Sequence, residues 1–352
     1  MATPSETHSQ RPPRRKRYRG THPRRFHEKY KELDPESYPG TVQKVLESGS
    51  TPAGTHRPIC LEEVLQRLGP APGEVAVDAT LGYGGHAREL LGRLLPGGHL
   101  IGLDADPLEL SRTEARLRGL GYGPDCLTVC HGNFAGLPGV LARLGRESVD
   151  MVLADLGCSS MQLDNPDRGF SYKLPGPLDL RMNPRKGRPA SVVLAGLDRG
   201  RLVELLADNA DEPHAQRIAD ELVRARGQIT TTTGLATLVR RALSGLPGPE
   251  REAARTASVR RVFQALRIAV NDEFSAIEAL LRCLPGCLGP GGRLVVLTFH
   301  SGEDRRVKRA LRNGFREGVY REIARDVVRP GAWEVRANPR ASSAKLRWAI
   351  RA

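Results

Sequence analysis

Three short, largely apolar runs, each leading into an aspartate and the first two each followed by helical spacing, constrain this chain more than any other feature. Val75–Val77 leads into Asp78, Leu100–Leu103 into Asp104, and Val149–Ala154 into Asp155. Runs this short and this apolar suit strands buried on both faces, which is the state of strands in a parallel sheet. Between the first two lies a glycine-rich turn, and then helical spacing from about His86 to Leu95. A second helix is expected over Pro107–Leu117, and a further strand over Cys126–His131. Strands alternating with helices at this interval predict an open α/β fold, a doubly wound, mostly parallel sheet with right-handed helical crossovers.

The rest of the chain divides around that core. Residues 1–55 are rich in Pro, Arg, Ser, Thr and Gly, lack apolar periodicity, and read as a disordered basic tail. Apolar positions Cys60, Leu61, Val64, Leu65 and Leu68 then mark a helix ending at Gly69. The first part of the core covers 56–162. From 163 to 261 the strand pattern stops, and helical patterns recur at Val192–Ala195, Arg201–Leu206, Ala215–Arg226 and Leu235–Ala242. This segment is expected to be a helical insertion that recognises substrate. Residues 262–352 return to the core through one amphipathic helix over Val262–Leu284, a buried strand around Leu294–Leu297 and a basic helix. Trp333–Val335 and Lys345–Ile350 are read as a closing hairpin.

Charge and cysteine content narrow the function classes. The formal net charge is +14, and residues 1–31 alone carry ten Lys/Arg against two acids. A basic tail on a basic body suits a polyanionic partner, although a tail of this kind also simply aids solubility. No apolar run reaches membrane-spanning length and none follows the basic start, so a cytoplasmic protein without membrane contact is expected. The six cysteines include two pairs spaced four apart, at 126/130 and 283/287, without the tighter pairs or neighbouring histidines of a zinc site. No metal is expected.

The chemistry-bearing residues sit where the strands end, the place at which open α/β sheets bind ligands. The turn Asp78-Ala79-Thr80-Leu81-Gly82-Tyr83-Gly84-Gly85-His86 lets a ligand approach the backbone. Gly82, Gly84 and Ala87 satisfy the loose glycine pattern of dinucleotide sites, which alone separates little. Asp104 stands where an acid accepts both hydroxyls of an adenosine ribose. Its competing role is a helix N-cap, for which Asp106 before Pro107 is better placed. Asp155 would lie beside the reactive end of the cofactor. Phe299-His300-Ser301 closes another strand, but no G-x-S-x-G elbow accompanies that serine. Nothing after Asp155 resembles a hydride-transfer site.

The segments "DATLGYGGH", "LDADP", "HGNF", "ADLGCSSMQLDNPDRGFSYKLPGPLDLRMNP", "RRVFQALRIAVNDE" and "GGRLVVLTFHSGEDRRVK" together resemble the bacterial ribosomal RNA small subunit methyltransferase H family, over about His56 to Arg351. The resemblance implies a class I S-adenosylmethionine-dependent methyltransferase sheet with a helical insertion. It also implies methyl transfer to the N4 amine of a decoding-centre cytosine in 16S rRNA. By position, Gly84, Gly85 and His86 would form the cofactor turn, Asp104 would hold the ribose and Phe134 would flank the adenine. Asp155 and Gln162 would contact the cofactor near its amino-acid end, with Asp155 also the catalytic acceptor for the target amine. Arg168, Phe170, Tyr172 and Arg181, in the loop after that acid, could stack on or clamp the base. Arg305 and Lys308, with Arg306, Arg309 and Arg312 on the last basic helix, could contact phosphates. Cys158, Gly302 and Ser342 depart from the family's usual residues, as does the lack of a glycine before Asp211 and Glu212. These departures leave room for a divergent paralogue with another RNA target; a methyltransferase for a small molecule and a non-catalytic RNA-binding assembly factor are the other function classes. Partners are expected to be the small ribosomal subunit and its 16S rRNA, bound by a monomer or homodimer.

Overall fold

A computed structural model describes residues 58–246 and 251–352. The basic tail expected over 1–55 lies outside the described residues. Seven strands form one sheet: β1 Val75–Asp78, β2 His99–Asp104, β3 Leu127–His131, β4 Val149–Asp155, β5 Leu288–Thr298, β6 Tyr320–Ile323 and β7 Lys345–Arg351. Their spatial order is β3-β2-β1-β4-β5-β7-β6. The first five run parallel, while β7 pairs antiparallel with both β5 and β6. This is the doubly wound class I sheet expected above, and its order reverses between β1 and β4. The carboxyl ends of those two strands, Asp78 and Asp155, therefore flank the crevice where such folds take their ligands.

Side-chain alternation along the strands explains why the runs are apolar apart from Asp150, which is exposed near the start of β4. Ile101, Leu103, Val152, Ala154, Leu294 and Val296 belong to a buried cluster on one face. Leu100, Met151, Leu153, Val295 and Leu297 belong to a second cluster on the other. Successive residues point to opposite faces, and helices cover both, so neither set can be polar. Helices α1 Leu61–Leu68, α2 Gly85–Leu94 and α3 Pro107–Gly119 contribute Val64, Leu90, Leu91 and Leu117 to the second cluster. Asp106 caps α3 by accepting from the amides of Leu108 and Glu109, with Pro107 at the first helical position.

Between β4 and β5 the chain contains helices Ala190–Gly196, Arg199–Ala210, Ala215–Arg224, Thr232–Ala242 and Arg251–Asn271. Their apolar stripes meet in a third cluster running from Phe170 to Leu266.

Two expectations need correction. The helix expected over Val262–Leu284 is two helices, Arg251–Asn271 and Glu273–Cys287. Asp272 between them takes a left-handed conformation with φ of 50°. The strand expected at Trp333–Val335 is instead part of a short helix, Ala332–Ala337, and β7 pairs with Tyr320–Ile323. Among the described residues, no helix is long and apolar enough to cross a membrane.

Candidate cofactor and methyl-transfer cleft

The carboxyl ends of β1, β2, β4 and β5 open into a cleft of about 540 Å³, in the size range of small-ligand sites. Gly84, Gly85, His86, Asp104, Phe134, Asp155 and Gln162 all line it.

The glycine turn is tied down at several points. Gly82 donates its amide to Asp104 Oδ2 at 2.7 Å. Its carbonyl accepts from the Thr113 hydroxyl at 2.6 Å. Arg116 donates to the Tyr83 carbonyl and stacks 3.5 Å above the Tyr83 ring. Gly84 has a φ of +80°, which a β-carbon disfavours. A β-carbon on Gly85 would lie 2.7 Å from Pro58.

Asp104 accepts two backbone amides, from Gly82 at 2.7 Å and from Asp106 at 2.8 Å. A carboxylate has about four acceptor positions, so capacity remains for two vicinal hydroxyls. Burial raises its pKa, against those two hydrogen bonds.

Asp155 receives the most polarised environment. Its amide donates to the Thr80 hydroxyl at 2.6 Å. Its Oδ2 lies 3.7 Å from His86 Nδ1. Its Oδ1 is buried with no partner among the described residues. Burial, then the charges of Asp78 and Glu303, push its carboxyl up to about 8. Asp78, 2% exposed, is likewise pushed up to about 7, chiefly by burial. His86 contacts the Ile59 carbonyl through Nε2 at 3.2 Å. A carbonyl only accepts, so Nε2 carries the proton and Nδ1 turns its lone pair toward Asp155. Burial holds His86 down to about 4, neutral at pH 7.

These residues fit the S-adenosylmethionine that the resemblance implies. The crowded carboxylates favour a cationic ligand. Asp104 offers ribose acceptors, the turn offers close backbone approach, and the orphaned Asp155 oxygen needs a donor from whatever enters.

Gln162 lines the cleft, yet its side-chain amide is spent locally. It closes a capping box with Ser159 and donates to Asp106 Oδ2 at 2.8 Å. Arg168 Nη1 reaches the same Asp106 oxygen at 2.7 Å, and its Nη2 donates to the carbonyls of Arg181 and Met182. It is therefore a buried strut of the loop. Phe170 is buried in the helical cluster, Tyr172 packs on Phe263, and Arg181 pairs with Asp179. None of these four lines the cleft. Arg305 is exposed and pairs with Asp211, while Lys308 is half-buried.

Three lining residues, Arg267, Glu273 and Glu303, fall within the quoted segments but were assigned no role from the sequence. Arg267 donates through Nε and Nη2 to both oxygens of Glu273, at 2.8 and 2.9 Å. Glu303, fully buried, places Oε1 3.8 Å from Arg267 Nη2 and 3.2 Å from His300 Nε2. The available signal was an arginine inside the otherwise apolar phase of "ALRIAV". Gly302, one of the departures, packs against Phe274: a β-carbon there would lie 2.6 Å from Cζ, so the ring fills the space a larger residue would need.

The model of the MraW methylase family matches residues 53–352. "Ribosomal RNA small subunit methyltransferase H 1" of Lachnoclostridium phytofermentans is 49% identical over 96% of this chain and 93% of that protein. "Ribosomal RNA small subunit methyltransferase H 2" of Alkaliphilus metalliredigens is 49% identical over 99% of this chain and 100% of that protein. The corresponding protein of Thermomicrobium roseum is 42% identical over 84% of this chain and 94% of its own length. With a matched model over nearly all of its length and relatives this similar, the chain belongs to the MraW methylase family.

Proposed function

We propose that this chain methylates the N4 amine of a cytosine in the decoding centre of 16S rRNA, acting in the cytoplasm on the small ribosomal subunit. The observation that carries the reading is the buried Oδ1 of Asp155, without a partner among the described residues, at the point where the strand order reverses. S-adenosylmethionine supplies an electrophilic methyl group on a sulfonium. Asp104 would hold its ribose, Gly84 and Gly85 its close approach to the backbone, and Phe134 one face of its adenine. Gln162 would act indirectly, by fixing the loop after Asp155 through Asp106.

The N4 lone pair of cytosine is delocalised into the ring, so orientation must do much of the work. In its anionic form, which a neighbouring sulfonium favours, Asp155 would accept an N4–H through Oδ1, hold the amine in line with the methyl group, and take the proton as the new bond forms. Neutral His86, fixed by the Ile59 carbonyl, keeps a lone pair beside the other oxygen and does not neutralise the acid as an imidazolium would. The target base must be unpaired or turned out of its stack to reach this depth. The helical segment 163–261 would meet the RNA, a role supported by Met182 and Arg260 on the cleft wall and by the exposed Arg185, Lys186 and Arg188 that follow Met182 in the chain.

Asp155→Asn keeps size and one acceptor but cannot take the proton. Single-turnover methyl transfer to small subunits should fall by roughly 100-fold or more, with S-adenosylmethionine affinity changed little. A variant as fast as the parent would remove Asp155 from the reaction.

A further inference from the structure

Arg267 sits at the end of the cleft away from Asp104. The sheet order places β2 on one side of β1 and β4, and β5 on the other. A cofactor whose ribose is held at the end of β2 reaches across β1 toward β4, leaving the space between β4 and β5 for the second reactant. Arg267 faces that space, beside Cys158 and Gly157, the residues three and two past Asp155. Its Nη1 donates to Cys158 Sγ at 3.3 Å, and a β-carbon on Gly157 would lie 4.0 Å from the same nitrogen.

The guanidinium has five N–H groups. Two are taken by Glu273, Nη2 also lies 3.8 Å from Glu303 Oε1 without hydrogen-bonding it, and one Nη1 N–H meets only a thiol, a weak acceptor. One Nη1 N–H has no partner among the described residues. The bidentate pair with buried Glu273 fixes the group, and the buried charge of Glu303 lies close by, so little rotamer freedom is lost when a ligand binds.

We propose that Arg267 binds the N3 and O2 acceptors of the target cytosine through Nη1, while Asp155 Oδ1 accepts the N4–H. This rests on the cytosine-N4 reading above. The Watson–Crick edge of cytosine runs donor, acceptor, acceptor, and the cleft offers it acceptor then donor across β4 and β5. Uracil presents an acceptor where Asp155 needs a donor and a donor where Arg267 needs an acceptor, so it is opposed at both points. Glu273 and Glu303 are positioning residues for Arg267. Cys158 yields its N–H readily, because a thiol is a poor competitor for a ring nitrogen.

The test uses small subunits assembled on 16S rRNA carrying either cytosine or 3-deazacytosine at the methylated position. The analogue keeps the amine, which becomes more electron-rich, and lacks N3. Single-turnover kcat/KM is measured for the parent enzyme, Arg267→Lys and Arg267→Met, with S-adenosylmethionine affinity by calorimetry. The parent should lose roughly 10- to 100-fold on the analogue, the worth of a charge-assisted hydrogen bond. Arg267→Met should lose a similar factor on cytosine and little more on the analogue, with cofactor affinity within about 2-fold. Arg267→Lys should fall between, lacking the planar fork. A parent that methylates both equally overturns the proposal, even if Arg267→Met fails to fold. So does loss of cofactor affinity in Arg267→Met, which would place the guanidinium on the cofactor carboxylate. A parent inactive on cytosine-bearing subunits fails the underlying reading instead.

Discussion

Gly84→Ala isolates the physics of the cofactor turn. Gly84 has a φ of +80°, and a β-carbon built on it lies 2.7 Å from Thr113 Cγ2 and 3.5 Å from Leu117 Cδ1. Thr113 is fully buried, and its hydroxyl is bonded to the Gly82 carbonyl at 2.6 Å. Its methyl group cannot swing aside without breaking the bond that ties the turn to α3. The left-handed conformation costs about 1–2 kcal/mol for a residue with a β-carbon. Forcing a methyl group into a filled space costs about 1–3 kcal/mol more. The sum, about 2–5 kcal/mol, corresponds to a melting temperature lower by roughly 5–15 °C for a domain of this size. Thr113→Ser keeps the hydroxyl and removes the clashing methyl. In that background Gly84→Ala should cost about 1–3 kcal/mol less, while the conformational part remains. Urea denaturation of the four proteins closes this cycle. An unchanged midpoint for Gly84→Ala, or the same penalty in both backgrounds, refutes the reasoning.

Two further perturbations probe the charges of the cleft. Asp104→Ala removes the carboxylate proposed to hold the ribose and should weaken S-adenosylmethionine binding by at least about 10-fold in calorimetry; unchanged affinity would dissociate Asp104 from the ribose. Asp78 and Asp155, pushed up to about 7 and about 8, gain their negative charge as pH rises through those values, Asp78 around neutrality and Asp155 above it. A sulfonium gains from that anionic charge. Affinity for S-adenosylmethionine should therefore rise between pH 6 and 9 more steeply than affinity for S-adenosylhomocysteine, whose sulfur is neutral. Parallel pH profiles for the two ligands would contradict this.

The parallel core was readable because burial on both faces leaves little room for polar residues in the middle of a strand. The acids at the strand ends stood out against those apolar runs. The capping role of Asp106 was readable for a similar reason, since it depends only on the next three residues. What escaped depends on distant partners. Arg168 looked available for a base until the fold placed it on Asp106, 62 residues away in sequence. Arg267 and Glu273 are six apart, a spacing that would separate them on one continuous helix. The left-handed Asp272 ends that helix and lets them meet. Trp333–Val335 has strand-forming residue types, yet Glu334 bonds to the Cys60 amide and belongs to a short helix. Tyr320–Ile323 was overlooked because its middle two residues are charged and exposed, as an edge strand permits.

Incubating purified small subunits with this protein and methyl-deuterated S-adenosylmethionine, then digesting the 16S rRNA for nucleoside and fragment mass spectrometry, addresses the central claim directly. The account predicts deuterated N4-methylcytidine at one decoding-centre cytosine. Label carried by any other nucleoside, or by none while the cofactor binds, would contradict it.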